Sequence, residues 1–268
     1  MSNTMFFWRH LRAPLAVFVL LATVLATTPL DLNIAHALFF HEAQSRWIGA
    51  RSWWTNELIH RDGTWLMRFV ALLALVTCIA SRARPRLHEL RRPALYFFVA
   101  IVLSVGLVGL LKTLTNVDCP RDLSEFGGRF PFIHLFEHRP ADLRHAQCFP
   151  AAHASSGYAL LALYFLFRER SRVAARWGLA AGVLLGLTFG IAQQARGAHF
   201  VSHDVWSAML VWTVSLTLYT FAFKARLWNP APPHRSQWDR NEVSAAARRL
   251  PVDGTADVPR RDGAASGP

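Results

Sequence analysis

The chain has 268 residues, 53% of them hydrophobic and only 17% charged, with a formal net charge of +12. That balance is too apolar for an ordinary soluble domain and points to an all-α polytopic membrane helix bundle. The arginines cluster in alternate gaps between apolar stretches, a pattern that excludes nucleic-acid binding as the reason for the basic charge.

Six apolar stretches, at 13–30, 64–81, 94–114, 153–167, 177–192 and 205–223, come near the ~20 residues that cross ~30 Å of hydrocarbon. Arg9 and Arg12 precede the first, which is expected to be retained rather than removed as a signal peptide, because no clear stop follows it. Residues 31–63 then carry Phe39, Phe40, Trp47, Trp53 and Trp54 among polar residues. Aromatic residues gather where bilayer meets water, so this segment reads as interfacial, either guiding a lipid substrate or simply covering the bundle.

The second stretch contains Cys78, read as a packing residue, and Arg82, Arg84, Arg86, Arg91 and Arg92 follow it. The third ends at Lys112. Next comes the largest polar gap, 115–150, bracketed by Cys119 and Cys148, which are candidates for a loop-closing disulfide in an oxidising periplasm. The fourth stretch opens with Pro150 and His153 and is followed by Arg168, Arg170, Arg172 and Arg176. After the fifth lies "QQARGAHFVSHD", and after the sixth come Lys224 and Arg226. By the positive-inside rule both termini are cytoplasmic and the gaps at 31–63, 115–150 and 193–204 face outward. Residues 1–225 are therefore expected to form a six-span membrane domain, and 226–268, rich in Pro, Arg, Asp and Gly, a disordered cytoplasmic tail.

Three outward segments carry chemistry. In "KTLTNVDCPRDL", Lys112 either snorkels to the interface or binds an anion, and Arg121 is either solvated or does the same. In "CFPAAHAS", Pro150 suits a helix start, Ala151 and Ala152 leave backbone N–H groups approachable to an anion, and His153 is placed to donate a proton. In the third segment His199 and His203 are four apart, while Phe200 occupies the position where a zinc-protease signature needs glutamate. Metal binding is accordingly not expected, and His199 reads as a nucleophile or base oriented by an acceptor a turn away. Haem ligation is disfavoured, because the histidines sit at span ends rather than within the bundle. Two histidines, cations and a carboxylate converging on one membrane face suit phosphoryl transfer.

The order and spacing of these residues resemble the type 2 phosphatidic acid phosphatase superfamily, with its pattern K-x6-R-P, P-S-G-H, S-R-x5-H-x3-D. Lys112 is followed after six residues by Cys119 and Pro120; Pro150, Ala151, Ala152 and His153 form the second part; His199 anchors the third. The resemblance implies an integral membrane phosphatase of the bacterial inner membrane. It would hydrolyse a lipid phosphate or diphosphate at the periplasmic face through a phosphohistidine on His199, without metal or other cofactor. His153 would protonate the leaving group, and Lys112, Ala151 and Ala152 would cradle the phosphoryl oxygens. Three family positions are displaced: Cys119 stands for arginine, with Arg121 nearby; Gln193 stands for the second arginine, with Arg196 nearby; and His203 stands for aspartate, with Asp204 next to it. Phosphotransfer to a lipid acceptor, or a non-catalytic relative that only binds lipid phosphate, remains the alternative. The substrate lipid and the oligomeric state are not readable from the chain.

Overall fold

The computed structural model describes residues 2–135, 137–224 and 227–228. Helix α1 spans Asn3–Thr27, and the Ser2 side chain opens it by accepting from the Met5 N–H. Pro14 lies inside this helix and lacks the N–H that would bond the His10 carbonyl. The Trp212 indole N–H takes that place at 3.0 Å, so the proline is satisfied by a tertiary contact rather than ending the helix. The short helix α2, Leu30–Phe39, leads into a small antiparallel hairpin, Phe40–His41 with Arg46–Trp47. Helix α3 runs Trp54–Ala83, α4 Pro85–Leu114, α5 Ala152–Phe167, α6 Arg172–Ala195 and α7 Val201–Phe223.

Among the described residues five helices, α1, α3, α4, α6 and α7, are long and apolar enough to cross a membrane. The fourth expected stretch is the shorter apolar helix α5, tightened into a 3-10 turn at Ala159–Leu161. The expected interfacial segment at 31–63 divides into α2, the hairpin and the π-wound first turns of α3, Trp54–Asp62. The chain forms an all-α membrane bundle with many large apolar side chains outward, among them Leu20, Phe69, Leu72, Leu184 and Phe221, while Tyr96, Phe165 and Tyr219 fill its core. Small and hydroxylated residues, such as Ala100, Ser104, Ala162, Ser207 and Ser215, are buried between helices. That inversion is what packing in lipid favours, since close approach rather than hydrophobic exclusion holds the helices together.

The tightest seam is a stripe of glycines on α6 at Gly178, Gly182, Gly186 and Gly190, four residues apart and thus on one helix face. A Cβ at Gly186 would overlap the Tyr158 ring, and one at Gly182 would lie 2.6 Å from the Leu161 nitrogen, so α5 sits directly on the α6 backbone. Gly106 and Gly109 on α4 instead have nothing within 4 Å of the added atom. Gly186→Ala is therefore expected to destabilise the detergent-solubilised protein by about 1–3 kcal/mol through overpacking. Gly109→Ala should be neutral or slightly stabilising. Thermal unfolding followed by circular dichroism checks the pair, and equal midpoints would refute the packing account.

The expected tail at 226–268 lies outside the described residues apart from 227–228. There Leu227 is buried and the Trp228 indole N–H donates to the Leu166 carbonyl at 2.9 Å.

Candidate active site at the converging helix ends

The starts of α3, α5 and α7 and the ends of α4 and α6 meet at one end of the bundle, because successive helices run up and down. The arginine-rich connections, α3 to α4 and α5 to α6, lie at the other end, where Arg170 reaches Glu89 at 3.9 Å.

The segment from α6 to α7 is fixed from several sides. Gly197 adopts a left-handed φ of 67°, closing α6 as its N–H donates to the Gln194 carbonyl while the Ala198 N–H donates to Gln193, each at 2.9 Å. A Cβ on Gly197 would overlap the Trp47 indole, so the hairpin clamps this turn. The Gly197 carbonyl accepts from the Arg121 N–H at 2.9 Å, joining the first motif to the third. The first turn of α7 is capped from outside, with the Ser202 N–H donating to Asp31 Oδ1 at 3.1 Å. Burial raises the Asp31 pKa, and the Ser202 contacts partly oppose that rise.

Between these anchors, His199 and His203 are both buried, and their Nδ1 atoms lie 3.2 Å apart. The Cys148 carbonyl also faces both rings. Phe149 and Phe200 meet the His203 ring edge-on. Burial first, then His203 and then Lys112, push the His199 pKa well below the ordinary histidine value, so the neutral imidazole is the stable form. His153 stacks on Phe189 at 4.3 Å, and its Nε2 lies 3.1 Å from the Ile59 carbonyl. Lys112 and Arg121 are close enough to influence one another, as are Arg121 and Arg196, so three cations surround the histidines. Burial, then the nearby Arg121, lower the Arg196 pKa.

Two expected roles change in position. Asp204 does not reach His199: its Oδ2 accepts from Gln194 Nε2, and it packs on Gly190, between α6 and α7. His203 alone takes the place beside His199. The Ala151 N–H points to the His203 carbonyl at 3.5 Å, so of the two alanines only Ala152 belongs to the uncapped start of α5. Cys119 and Cys148 are joined by a disulfide with Cα atoms 5.1 Å apart. Among the described residues, no group of three or more His, Cys, Asp or Glu side chains is arranged to hold a metal ion.

His60 enters the cluster without a signal from the motifs, and Gln193, at the motif's arginine position, joins it to Arg196. Gln193 Nε2 donates to His60 Nδ1 at 2.9 Å, Gln193 Oε1 accepts from Arg196 Nη1 at 3.1 Å, and the His60 ring meets His153 edge-on at 4.8 Å. A cavity of about 410 Å³ borders His203 between α1 and α7, but Asp31, Asp118 and Glu137 line it. Asp31 and Glu137 there disfavour a phosphate, whereas Lys112, Arg121 and Arg196 favour one.

Burial of neutral His199 fixes a sign for pH dependence. Unfolded, the same residue binds protons near its ordinary value of 6.5, whereas folded it does so only well below. The unfolded state therefore binds more protons as pH falls through about 6.5, and stability drops. The expected result is a lower unfolding temperature at pH 5 than at pH 7, with a flatter dependence in His199→Gln. An unchanged slope in that variant would contradict a buried neutral His199.

A family model described as the PAP2 superfamily matches residues 93–227, from within α4 to beyond α7. No curated protein and no solved structure matched the chain.

Proposed function

Because the chain belongs to the PAP2 superfamily, whose members are phosphatases, we propose that it is a membrane phosphatase acting on a lipid phosphate or diphosphate at the periplasmic face of a bacterial inner membrane. The observation that carries the reading is the His199–His203 contact. With His199 Nδ1–H donating to His203 Nδ1, the lone pair of His199 rests on Nε2, the nitrogen free to attack phosphorus.

In the first half-reaction the His199 Nε2–P bond forms and the P–O bond to the lipid breaks. His153, which takes up a proton as the phosphate dianion docks beside it, gives that proton to the leaving oxygen. Its Nε2–H is anchored on the Ile59 carbonyl, so Nδ1–H is the one available to donate. Lys112, Arg121 and Arg196 carry the phosphoryl oxygens, and the N–H groups at the uncapped start of α5 add dipolar support. In the second half-reaction water attacks phosphorus, His153 takes its proton, and inorganic phosphate leaves with neutral His199 restored. Lipid is the favoured substrate class because the cluster sits at span ends, where a headgroup meets water while its tail stays beside the apolar outer faces of the helices. The proposed orientation rests on the arginines gathered at the opposite end.

The test is phosphate release by the detergent-purified full chain from phosphatidic acid, phosphatidylglycerol phosphate, undecaprenyl diphosphate and a lipid A phosphate, with and without chelator. Chelator-resistant release from one of them is expected. No release from any would overturn the phosphatase reading.

A further inference from the structure

We propose that His60 and Gln193 form a positioning relay that sets Arg196 against the phosphoryl group, which makes the π-wound first turns of α3 a fourth part of the site; this rests on the phosphatase reading above. Arginine can only donate, so the buried Gln193 amide must turn its oxygen to Arg196 and its NH2 to His60. His60 Nδ1 is then the acceptor, and its ring proton sits on Nε2. The relay therefore has one polarity, running from Arg196 through Gln193 to His60.

The choice of an amide has an electrostatic reason. A carboxylate in place of Gln193 would orient Arg196 and also cancel its charge before substrate arrived. The amide orients without neutralising, and among the described residues no carboxylate forms an ion pair with Arg196. Gln193 stands where the family motif carries arginine, so the displaced Arg196 gains from a fixed partner what it lost in position. Arg61 and its carboxylate partners, Glu57 and Asp62, satisfy one another on the same turns and leave the relay alone.

The segment that brings His60 in is firmly attached. The Gly49 N–H donates to the Ala195 carbonyl at 2.8 Å, at the very end of α6. Asn56 Nδ2 then reaches the Gly49, Ala50 and Ser52 carbonyls at 3.1, 3.2 and 2.8 Å, tying the turn before α3 to its first residues. His60 is consequently carried by the same backbone frame as Arg196.

The experiment measures orthovanadate binding to the full chain by calorimetry, together with kcat and KM for phosphate release from short-chain phosphatidic acid in micelles. Arg196→Ala and Gln193→Ala are each expected to weaken vanadate binding about tenfold, as loss of a hydrogen bond to a charged group does, and the double variant no further than Arg196→Ala alone. Gln193→Glu should be as weak, because it neutralises Arg196. His60→Asn, which keeps an acceptor near the Nδ1 position, should stay close to wild type, whereas His60→Phe, which keeps only the ring, should match Gln193→Ala. Additive losses in the double variant, or a rescue by phenylalanine rather than asparagine, would overturn the relay while leaving the phosphatase reading intact. A wild-type protein that neither binds vanadate nor releases phosphate would overturn both. If Gln193→Ala fails to fold, the two His60 variants alone distinguish relay from packing.

Discussion

His199→Ala is expected to leave a folded protein whose phosphate release falls by roughly 10⁴- to 10⁶-fold, the range seen when a covalent nucleophile is removed. The reason is the absence of a substitute. His153 is anchored on Ile59, and His203 stays packed between Phe149 and Phe200, so neither ring is placed to take over the attack. The informative companions are the two residues beside it. His203→Asp restores the carboxylate of the family pattern and should stay within about tenfold of wild type, while His203→Leu removes the acceptor that fixes the tautomer and should lose about 10²- to 10⁴-fold. Asp204→Asn should leave turnover nearly unchanged, because its partner is Gln194 and not His199. Single-turnover trapping of acid-labile phosphoprotein checks the chemistry directly. Phosphoprotein in His199→Ala, or its absence in wild type alongside steady turnover, would refute the covalent route.

Cys148→Ser is expected to cost about 3–4 kcal/mol, from the chain entropy released when a loop of this length is opened. The bond spans 29 residues of sequence separation and joins the two flanks of the first and second motifs. Cys119 directly precedes Pro120 and Arg121, while the Cys148 carbonyl faces both His199 and His203. Other ties remain when the bridge is gone: Cys148 N–H to the Val117 carbonyl at 3.0 Å, Ala146 N–H to Asn116 Oδ1 at 2.8 Å, and the buried pair of Arg139 with Asp118. The variant should therefore fold with a lower unfolding temperature and retain measurable activity, with KM rising more than kcat falls as Arg121 loosens. Reduction of the wild type should reproduce both effects. An unfolding temperature unmoved by either treatment would show that these ties suffice alone.

The apolar stretches and the three motifs are legible because each leaves a local mark: twenty apolar residues in a row, or a histidine after a proline at a helix start. The fourth stretch is legible in the same way, as α5 covers the residues expected of it, and glycines let it lie on the α6 backbone. The glycine stripe is visible at i, i+4 spacing, but spacing does not name the helix that fills it. The choice between His203 and Asp204 is not legible, since neighbouring residues on a helix point ~100° apart and only the docking of α7 against α6 decides which faces His199. His60 is hidden for another reason. It lies 133 residues from Gln193, in a stretch whose tryptophans announce an interface and nothing else.

The disulfide also sets a clock. On the proposed orientation its two sulfurs meet only after both have crossed to the oxidising side. Newly made chains, still facing the reducing cytosol, would lack the tie between the first and second motifs. Export would then complete the substrate affinity of the site, since a chain without the bridge turns over with a raised KM until its two sulfurs meet.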